Sequence, residues 1–398
     1  MIDTDSSNHL PTRRAQLLFI VVTILFWCSM YTYVPILSPY LESIGFSYAV
    51  IGIVLGSYGL MQLIIRFPLG LFSDRIRKRK PFILLGFLTS ALGCGLFIVF
   101  QDPLGVTAAR AMTGISASTW VAFTVLYASS FSAASATKAM STLSVATVAG
   151  QLLGMGASGF LAQSSGWMST FWLGAASAAV GGILSLCLHE PKEGISRTPI
   201  RLADLATVAR STTLLRVSTL SVLAHIILFV TMFGFTPSYA VHIGANQSAL
   251  SLLVFAFMLP HAAASWLAGN KLTPRFGAWR VVCVGFILSG LCTLSIPVIP
   301  TLGLLYATQA LNGFAQGLHL PLLLGLSIEN VGMDRRATAM GFYQAVYAAG
   351  MFSGPFIAGW LNESYGLTGG FVFGGIAAII AVLLISLWGR TKKEVLGG

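Results

Sequence analysis

Charged side chains are scarce in this chain: they make up 9% of its 398 residues, while 56% of the residues are hydrophobic. Soluble domains carry roughly 25% charged residues, so this scarcity excludes an ordinary soluble protein. Apolar runs of about 20 residues, long enough to cross a membrane as helices, fill the sequence instead. The runs do not alternate apolar and polar residues as membrane β-strands do. The sequence therefore predicts an all-α membrane protein.

Cysteine and several enzyme signatures are also rare or missing. The five cysteines all lie inside apolar runs, which argues against a disulfide framework and against a metal cluster. The sequence contains no G-x-x-x-x-G-K-[ST] loop, no H-E-x-x-H pair and no G-x-S-x-G elbow. These absences argue against an ATP-driven pump and against an intramembrane enzyme. We expect no enzymatic activity, no metal and no cofactor.

The apolar runs predict twelve transmembrane helices joined by short segments. They lie approximately at 17–41, 48–72, 81–100, 104–130, 141–164, 167–188, 214–237, 248–271, 281–299, 302–328, 338–361 and 367–389. The predicted domains are a cytoplasmic tail (1–14), a six-helix bundle (15–188), a cytoplasmic linker (189–213), a second six-helix bundle (214–389) and a cytoplasmic tail (390–398).

The net charge of +11 is placed in a way that predicts the orientation in the membrane. Apart from Arg66 and Arg110, lysine and arginine lie in the tails or at the joints that follow even-numbered runs. Cytoplasmic joints carry an excess of these residues, so we expect both termini in the cytoplasm and the protein in the cell membrane. Membrane lipids are expected partners of the basic residues, and nucleic acid is not.

The two halves repeat each other. The run GQLLGMGASG at 150–159 matches GMFSGPFIAG at 350–359, which lies 200 positions later. The sequence therefore predicts two pseudo-symmetric six-helix bundles, the construction of many secondary transporters. Small residues allow helices to approach closely, and this predicts a packing seam, with or without motion, at Gly150, Gly154, Gly159, Gly350, Gly354, Pro355 and Gly359.

The stretch GLFSDRIRKRK at 70–80 resembles the signature G-x-L-a-D-R-x-G-R-K of the major facilitator superfamily. Residues 150–159, and Arg110 with Gly114, resemble motifs of the drug:proton antiporters of that family. Residues 33–70 are similar to exporters of opine-type metallophores. Two positions depart from the family pattern, because Arg77 replaces a glycine of the joint and Met155 replaces a proline.

The resemblance implies a conformational latch at the inner face, formed by Gly70, Asp74, Arg75 and Arg66. In this interpretation Asp74 pairs with a helix end and an arginine across the two halves, and the pair stabilises the outward-open state. The alternative interpretation is a charged anchor that only sets the topology.

A polar cavity is predicted between the fourth, seventh and tenth helices. Its candidate residues are Arg110, Gln309, Asn312, Gln316, His319, His225 and Gln62. The residues from 309 to 319 are spaced by three and four, so they share one helix face. A buried arginine suits a carboxylate-bearing substrate. The alternatives are a structural arginine and ordinary hydrogen bonding between helices.

The predicted function is secondary active transport. It is proton-coupled efflux, by alternating access of a monomer, of a small anionic or zwitterionic molecule such as a metallophore or drug. No Asp or Glu lies deep in an apolar run, so His225, His261 and His319 remain as proton carriers, unless they are simply packed polar residues. The alternative function is a proton-linked importer or facilitator of a small nutrient.

Overall fold

The computed structural model describes residues 12–131, 133–190, 210–329, 331–332 and 335–394, and within these ranges the chain forms helices and no strands. The helices of the first half are α1 (Arg13–Tyr31), α2 (Val34–Ser43), α3 (Tyr48–Ile76), α4 (Lys80–Val99), α5 (Pro103–Ser118), α6 (Trp120–Ser129), α7 (Ala133–Ser165) and α8 (Met168–Ser185). The short interruptions between α1 and α2, and between α5 and α6, leave each pair as one membrane-crossing segment.

The helices of the second half are α9 (Thr212–Val230), α10 (Thr236–His242), α11 (Gln247–Leu267), α12 (Thr273–Phe276), α13 (Ala278–Ser295), α14 (Leu302–Leu326), α15 (Arg336–Tyr365) and α16 (Leu367–Glu394). A π-helical segment, Thr231–Phe235, joins α9 to α10. The first helix of each half is therefore interrupted at the same level, after Tyr31 in one half and from Thr231 in the other.

Ten segments of the described residues are long and apolar enough to cross a membrane: Arg13–Ser43, Tyr48–Ser73, Lys80–Val99, Pro103–Ser129, Ala139–Ser165, Met168–Ser185, Thr212–His242, Gln247–Phe276, Ala278–Val298 and Leu367–Trp388. The predicted number of twelve is therefore not confirmed. The helices α14 and α15 have 25 and 30 residues and are long enough to cross a membrane, but they are not among these ten segments because their mean hydropathy is too low. The polar side chains of α14 are buried, so they face protein and not lipid.

Local sequence signals set several helix ends. The Asp102 carboxylate accepts hydrogen bonds from Leu104 N at 3.1 Å and Gly105 N at 3.0 Å, which caps α5. Gly166 and Gly366, at equivalent places in the two halves, have φ of +80° and +65° after α7 and α15. Glycine takes this backbone conformation without steric cost, so both helices end sharply there.

The halves meet through α3 along α15, α7 along α11, and α2 against α10. Following the predicted topology, we call the end with residues 44–47 and 243–246 the outer end, and the end with residues 77–79 the inner end. Near the outer end, Gly52, Gly56 and Gly59 pack on the α15 backbone. Towards the inner end, no atom lies within 4 Å of a Cβ built on Gly70. The two halves are therefore in contact at the outer end, where α3 lies against α15.

Candidate substrate cavity

Arg110 of α5 is a buried cation held between aromatic rings. Its side chain is 3% exposed, and its guanidinium carbon lies 4.4 Å from the ring centre of Tyr58 and 5.8 Å from that of Tyr33. Its Nε and Nη1 have no hydrogen-bond partner, and none of the described carboxylates forms an ion pair with it. A buried unsatisfied donor costs about 1–3 kcal/mol. Arg110 therefore offers charged donors to an anionic acceptor.

A second buried arginine, Arg66 of α3, connects the two halves. Its Nη2 donates to Gln62 Oε1 at 2.6 Å, and its Nη1 donates to Tyr347 Oη of α15 at 3.1 Å. The His225 ring of α9 stacks on Tyr347 with ring centres 4.2 Å apart. His225 Nδ1 lies 2.7 Å from the carbonyl oxygen of Ser221. One network of polar and aromatic contacts thus links α3, α15 and α9.

The polar stripe of α14 is fully buried, but its members do not share one environment. Ser289 Oγ of α13 donates to Asn312 Oδ1 at 2.8 Å, and His319 stacks on Phe286 of α13 with ring centres 4.4 Å apart. Both residues therefore contact α13, and the bond of Asn312 is of the interhelical kind that the alternative interpretation predicts. Gln309 has no partner for either side-chain atom.

Arg110 and the stripe of α14 are not brought together by any hydrogen bond among the described residues. Phe229 of α9 stacks on Tyr58 with ring centres 6.1 Å apart, and Phe233 contacts Tyr31 at 6.0 Å. Phe229 of the second half therefore covers the ring of Tyr58, which packs against Arg110. The polar side chains of the predicted cavity between the fourth, seventh and tenth helices are at most 8% exposed.

The charged joint at the inner end bonds within the first half. The backbone N–H groups of Arg79 and Lys80 donate to the Glu190 carboxylate, with 3.3 Å from Lys80 N to Oε2. Lys80 Nζ donates to the Leu188 carbonyl oxygen at 3.2 Å. A carboxylate at the N-terminus of a helix is favourable for the exposed amides and for the helix dipole. The joint thus ties the start of α4 to the segment after α8.

The structure describes the side-chain surroundings of three of the four predicted latch residues. Gly70 is buried, although a Cβ built on it would meet no atom within 4 Å, and Arg75 is exposed. The side chain of Asp74 lies outside the described part of the structure. Arg66 lies in the central network with Tyr347 and not at the joint. A latch that includes Asp74 stays a prediction.

Arg77 adopts an unusual backbone conformation. Its φ is +56°, and no other non-glycine residue in the described ranges has a positive φ. The superfamily signature quoted above has glycine at this position, so Arg77 keeps the left-handed turn without the residue that favours it.

The glycines of the two repeated runs divide into two kinds. Within each half, the first two glycines pack on the first helix, Gly150 and Gly154 on α1 and Gly350 and Gly354 on α9. The last glycine of each run crosses to the other half, as does Gly156, which faces the Phe255 ring of α11. Gly159 packs on Gln247 of α11, and Gly359 packs on α3 at Tyr48 and Gly52. The carbonyl oxygen of Pro355 also faces Gly52.

Sequence reasoning missed the tyrosines that surround the arginines. Tyr33 flanks Arg110, and Tyr347 joins Arg66 to His225. Tyrosine is enriched at membrane interfaces, whereas these two lie well inside apolar runs. Their position inside the apolar runs could have marked them as candidates for the site, although no rule of sequence spacing could assign either of them to a particular arginine.

Comparisons with known proteins agree with this architecture. The chain matches the family model described as Major Facilitator Superfamily over residues 19–244 and 217–397. It is 25% identical over 354 residues to the Uncharacterized MFS-type transporter YceJ of Bacillus subtilis (strain 168), covering 86% of this chain and 87% of that protein. It is 26% identical over 376 residues to the Inner membrane transport protein YajR of Escherichia coli (strain K12), covering 92% and 80%. The solved nucleoside transporter NupG has a TM-score of 0.78 at 17% identity, over 95% of this chain and 99% of that one, and this likeness shows the fold alone.

Proposed function

The chain belongs to the Major Facilitator Superfamily, and from this premise we propose that it is a secondary active exporter of a small anionic or zwitterionic molecule. It is a multi-pass membrane transporter, and its relatives are transporters and not enzymes. The proposed transport unit is a monomer with a central site between its two halves.

The observation that supports an anionic substrate is the state of Arg110. A guanidinium stays charged at every physiological pH, and burying a charge is costly unless a partner compensates it. Tyr33 and Tyr58 supply ring faces but no opposite charge. A carboxylate or phosphate that reached Nε and Nη1 would form charge-assisted hydrogen bonds and neutralise the buried cation.

Alternating access is supported by the contacts between the halves. The α3–α15 seam is close at the outer end, whereas a Cβ built on Gly70, towards the inner end, would meet no atom within 4 Å. The central network then lies where a substrate entering from the inner side would reach it. A second state, with the outer seam open, would release the substrate to the other side.

Export and proton coupling rest on more local features. The glycine run at 150–159 and the Arg110-x-x-x-Gly114 pattern resemble drug:proton antiporters. His225 is the proposed proton carrier, since its ring stacks on Tyr347, which accepts from Arg66. A change of charge on His225 would therefore act on a contact that joins the halves.

The proposal is tested by comparing small anions in cells with and without the protein. An exporter predicts a compound, for example a metallophore or a drug-like anion, that accumulates in deletion cells and disappears from their medium. The opposite pattern, depletion inside the deletion cells, would favour the proton-linked importer. Complementation with the wild-type chain is the positive control.

A further inference from the structure

Four titratable side chains from both halves meet at the outer end. We call them the outer cluster: Glu42 at the end of α2, Tyr48 at the start of α3, His242 at the end of α10 and Glu363 near the end of α15. Tyr48 Oη donates to Glu42 Oε1 at 2.9 Å. His242 Nε2 contacts the same oxygen and lies 3.4 Å from Tyr48 Oη. The Glu363 carboxylate accepts from Ala49 N at 3.3 Å.

The outer cluster lies beside the pseudo-twofold axis of the repeat. Ser238 Oγ donates to Ser38 Oγ at 3.1 Å, and these residues are 200 positions apart. Glu42 and His242 are also 200 positions apart. Where residue i meets residue i+200, identical charges would repel each other. The chain has an acid in one half and an imidazole in the other, so this contact is attractive.

The cluster is accessible from the outer side and has few basic groups. The side chains of His242 and Glu42 are 45% and 28% exposed. The titratable groups that contact His242, among the described residues, are Glu42 on α2 and Tyr48 on α3. The Glu363 carboxylate on α15 lies next to Tyr48, where it accepts from Ala49 N. No described lysine or arginine lies at this end, so His242 is the basic group of the cluster.

We propose that the outer cluster is a proton-binding site that stabilises the closed outer end. The contact between His242 and Glu42 joins the halves, so it exists only while the outer end is closed. Protonation of the imidazole converts this contact into a charge-assisted pair between the halves, which the open state lacks. By linkage, external acid increases the population of the closed state.

The bound proton is not the one that is transported. When the outer end opens, His242 separates from Glu42 and the proton returns to the side from which it came. The cluster therefore senses external pH and biases the cycle towards the state that faces the inner side. This inference rests on the proposed alternating access, but it does not depend on the identity of the substrate.

The test measures the distance across the outer end in the full chain. Nitroxide labels are attached at Leu104→Cys and Val298→Cys, which replace residues with 80% and 78% exposure, after the five native cysteines are changed to alanine. Between about pH 8 and about pH 5, where histidine titrates, the ratio of short to long distances is expected to rise. A partly exposed pair changes such a ratio by up to about fivefold.

Matched variants isolate the cluster. His242→Gln and Glu42→Gln should each abolish the pH response, while His242→Lys should keep the closed population high at both pH values. His189→Gln, at the exposed inner end, should respond like the wild type. A response that persists in His242→Gln, or a wild type without any response, overturns the proposal. Failure to find a transported substrate would affect the proposed function and leave this distance measurement unaffected.

Discussion

At the scale of single residues, two arginines occupy energetically unfavourable positions, one through burial of its charge and the other through its backbone conformation. Arg110 is buried between Tyr33 and Tyr58 with two donors unsatisfied. Arg77 is exposed but has a left-handed backbone. A buried unpaired cation indicates a binding role. The conformation of Arg77 indicates that the turn itself is required at the inner joint, whichever residue occupies it.

Arg110→Lys is expected to impair transport although it preserves the charge. The lysine ammonium is a point charge and does not offer the planar pair of donors that Nε and Nη1 provide. Loss of one charge-assisted hydrogen bond, about 1.5–3 kcal/mol, corresponds to a loss of about tenfold or more in apparent affinity. Substrate binding and transport rates measure the effect.

Lys78→Arg is the matched control for this variant, since Lys78 is exposed at the inner joint and lies outside the central network. It should behave like the wild type. If both substitutions had equal and negligible effects, Arg110 would not be a substrate-binding residue.

Arg77→Gly is expected to leave the free energy of unfolding unchanged or to raise it by up to about 1.5 kcal/mol. Relief of the left-handed conformation gains about 1–2 kcal/mol, and the greater freedom of glycine in the unfolded chain offsets about 0.5–1 kcal/mol of this. Thermal unfolding in detergent provides the measurement. Arg75→Gly, in the last turn of α3, should lower stability by up to about 1 kcal/mol, and an equal loss in both variants would contradict the interpretation of the turn.

At the scale of helices, glycines of the repeated runs pack either within one half or between the two halves, and the sequence does not show which glycine does which. The spacing of Gly150, Gly154 and Gly159 predicted a packing seam, and each of them does pack closely on a neighbouring helix. Which helix each one contacts depends on the tertiary arrangement: Gly150 and Gly154 pack within their own half, whereas Gly159 and its counterpart Gly359 pack on the other half. Gly159 and Gly359 therefore belong to the contacts that close the outer end.

Gly359→Ala is expected to shift the molecule towards the outer-open state. A Cβ at this position meets the Tyr48 carbonyl oxygen and the Gly52 α-carbon. Overpacking of this kind costs about 1–3 kcal/mol, which corresponds to a population change of about fivefold or more. The label pair at positions 104 and 298 should report longer distances.

Gly95→Ala is the control for this substitution, because nothing lies within 4 Å of a Cβ built on that helical glycine. Its distances should match the wild type. Unchanged distances in Gly359→Ala as well would show that this seam does not limit opening.

At the scale of the whole molecule, the apolar runs predicted membrane-spanning helices, because every backbone polar group inside a membrane must be hydrogen-bonded within the protein. The repeat of the sequence predicted that these helices form two related halves. The predicted number of spans was not confirmed, because buried polar residues such as Gln309 and Asn312 lower the hydropathy of α14. The site was predicted less well. Periodicity places residues on one face, but it does not say which neighbour that face meets, and His319 meets α13.

The central claim is that Arg110 binds an anion and that the protein exports this anion in exchange for protons that move down their gradient. Its most direct test is uptake, into inside-out proteoliposomes, of the compound that deletion cells retain. With an acidic lumen, the wild type should accumulate the compound, an uncoupler should abolish the accumulation, and Arg110→Gln should reduce it by about tenfold or more. Accumulation that ignores the direction of the proton gradient, or that survives Arg110→Gln unchanged, would contradict the claim.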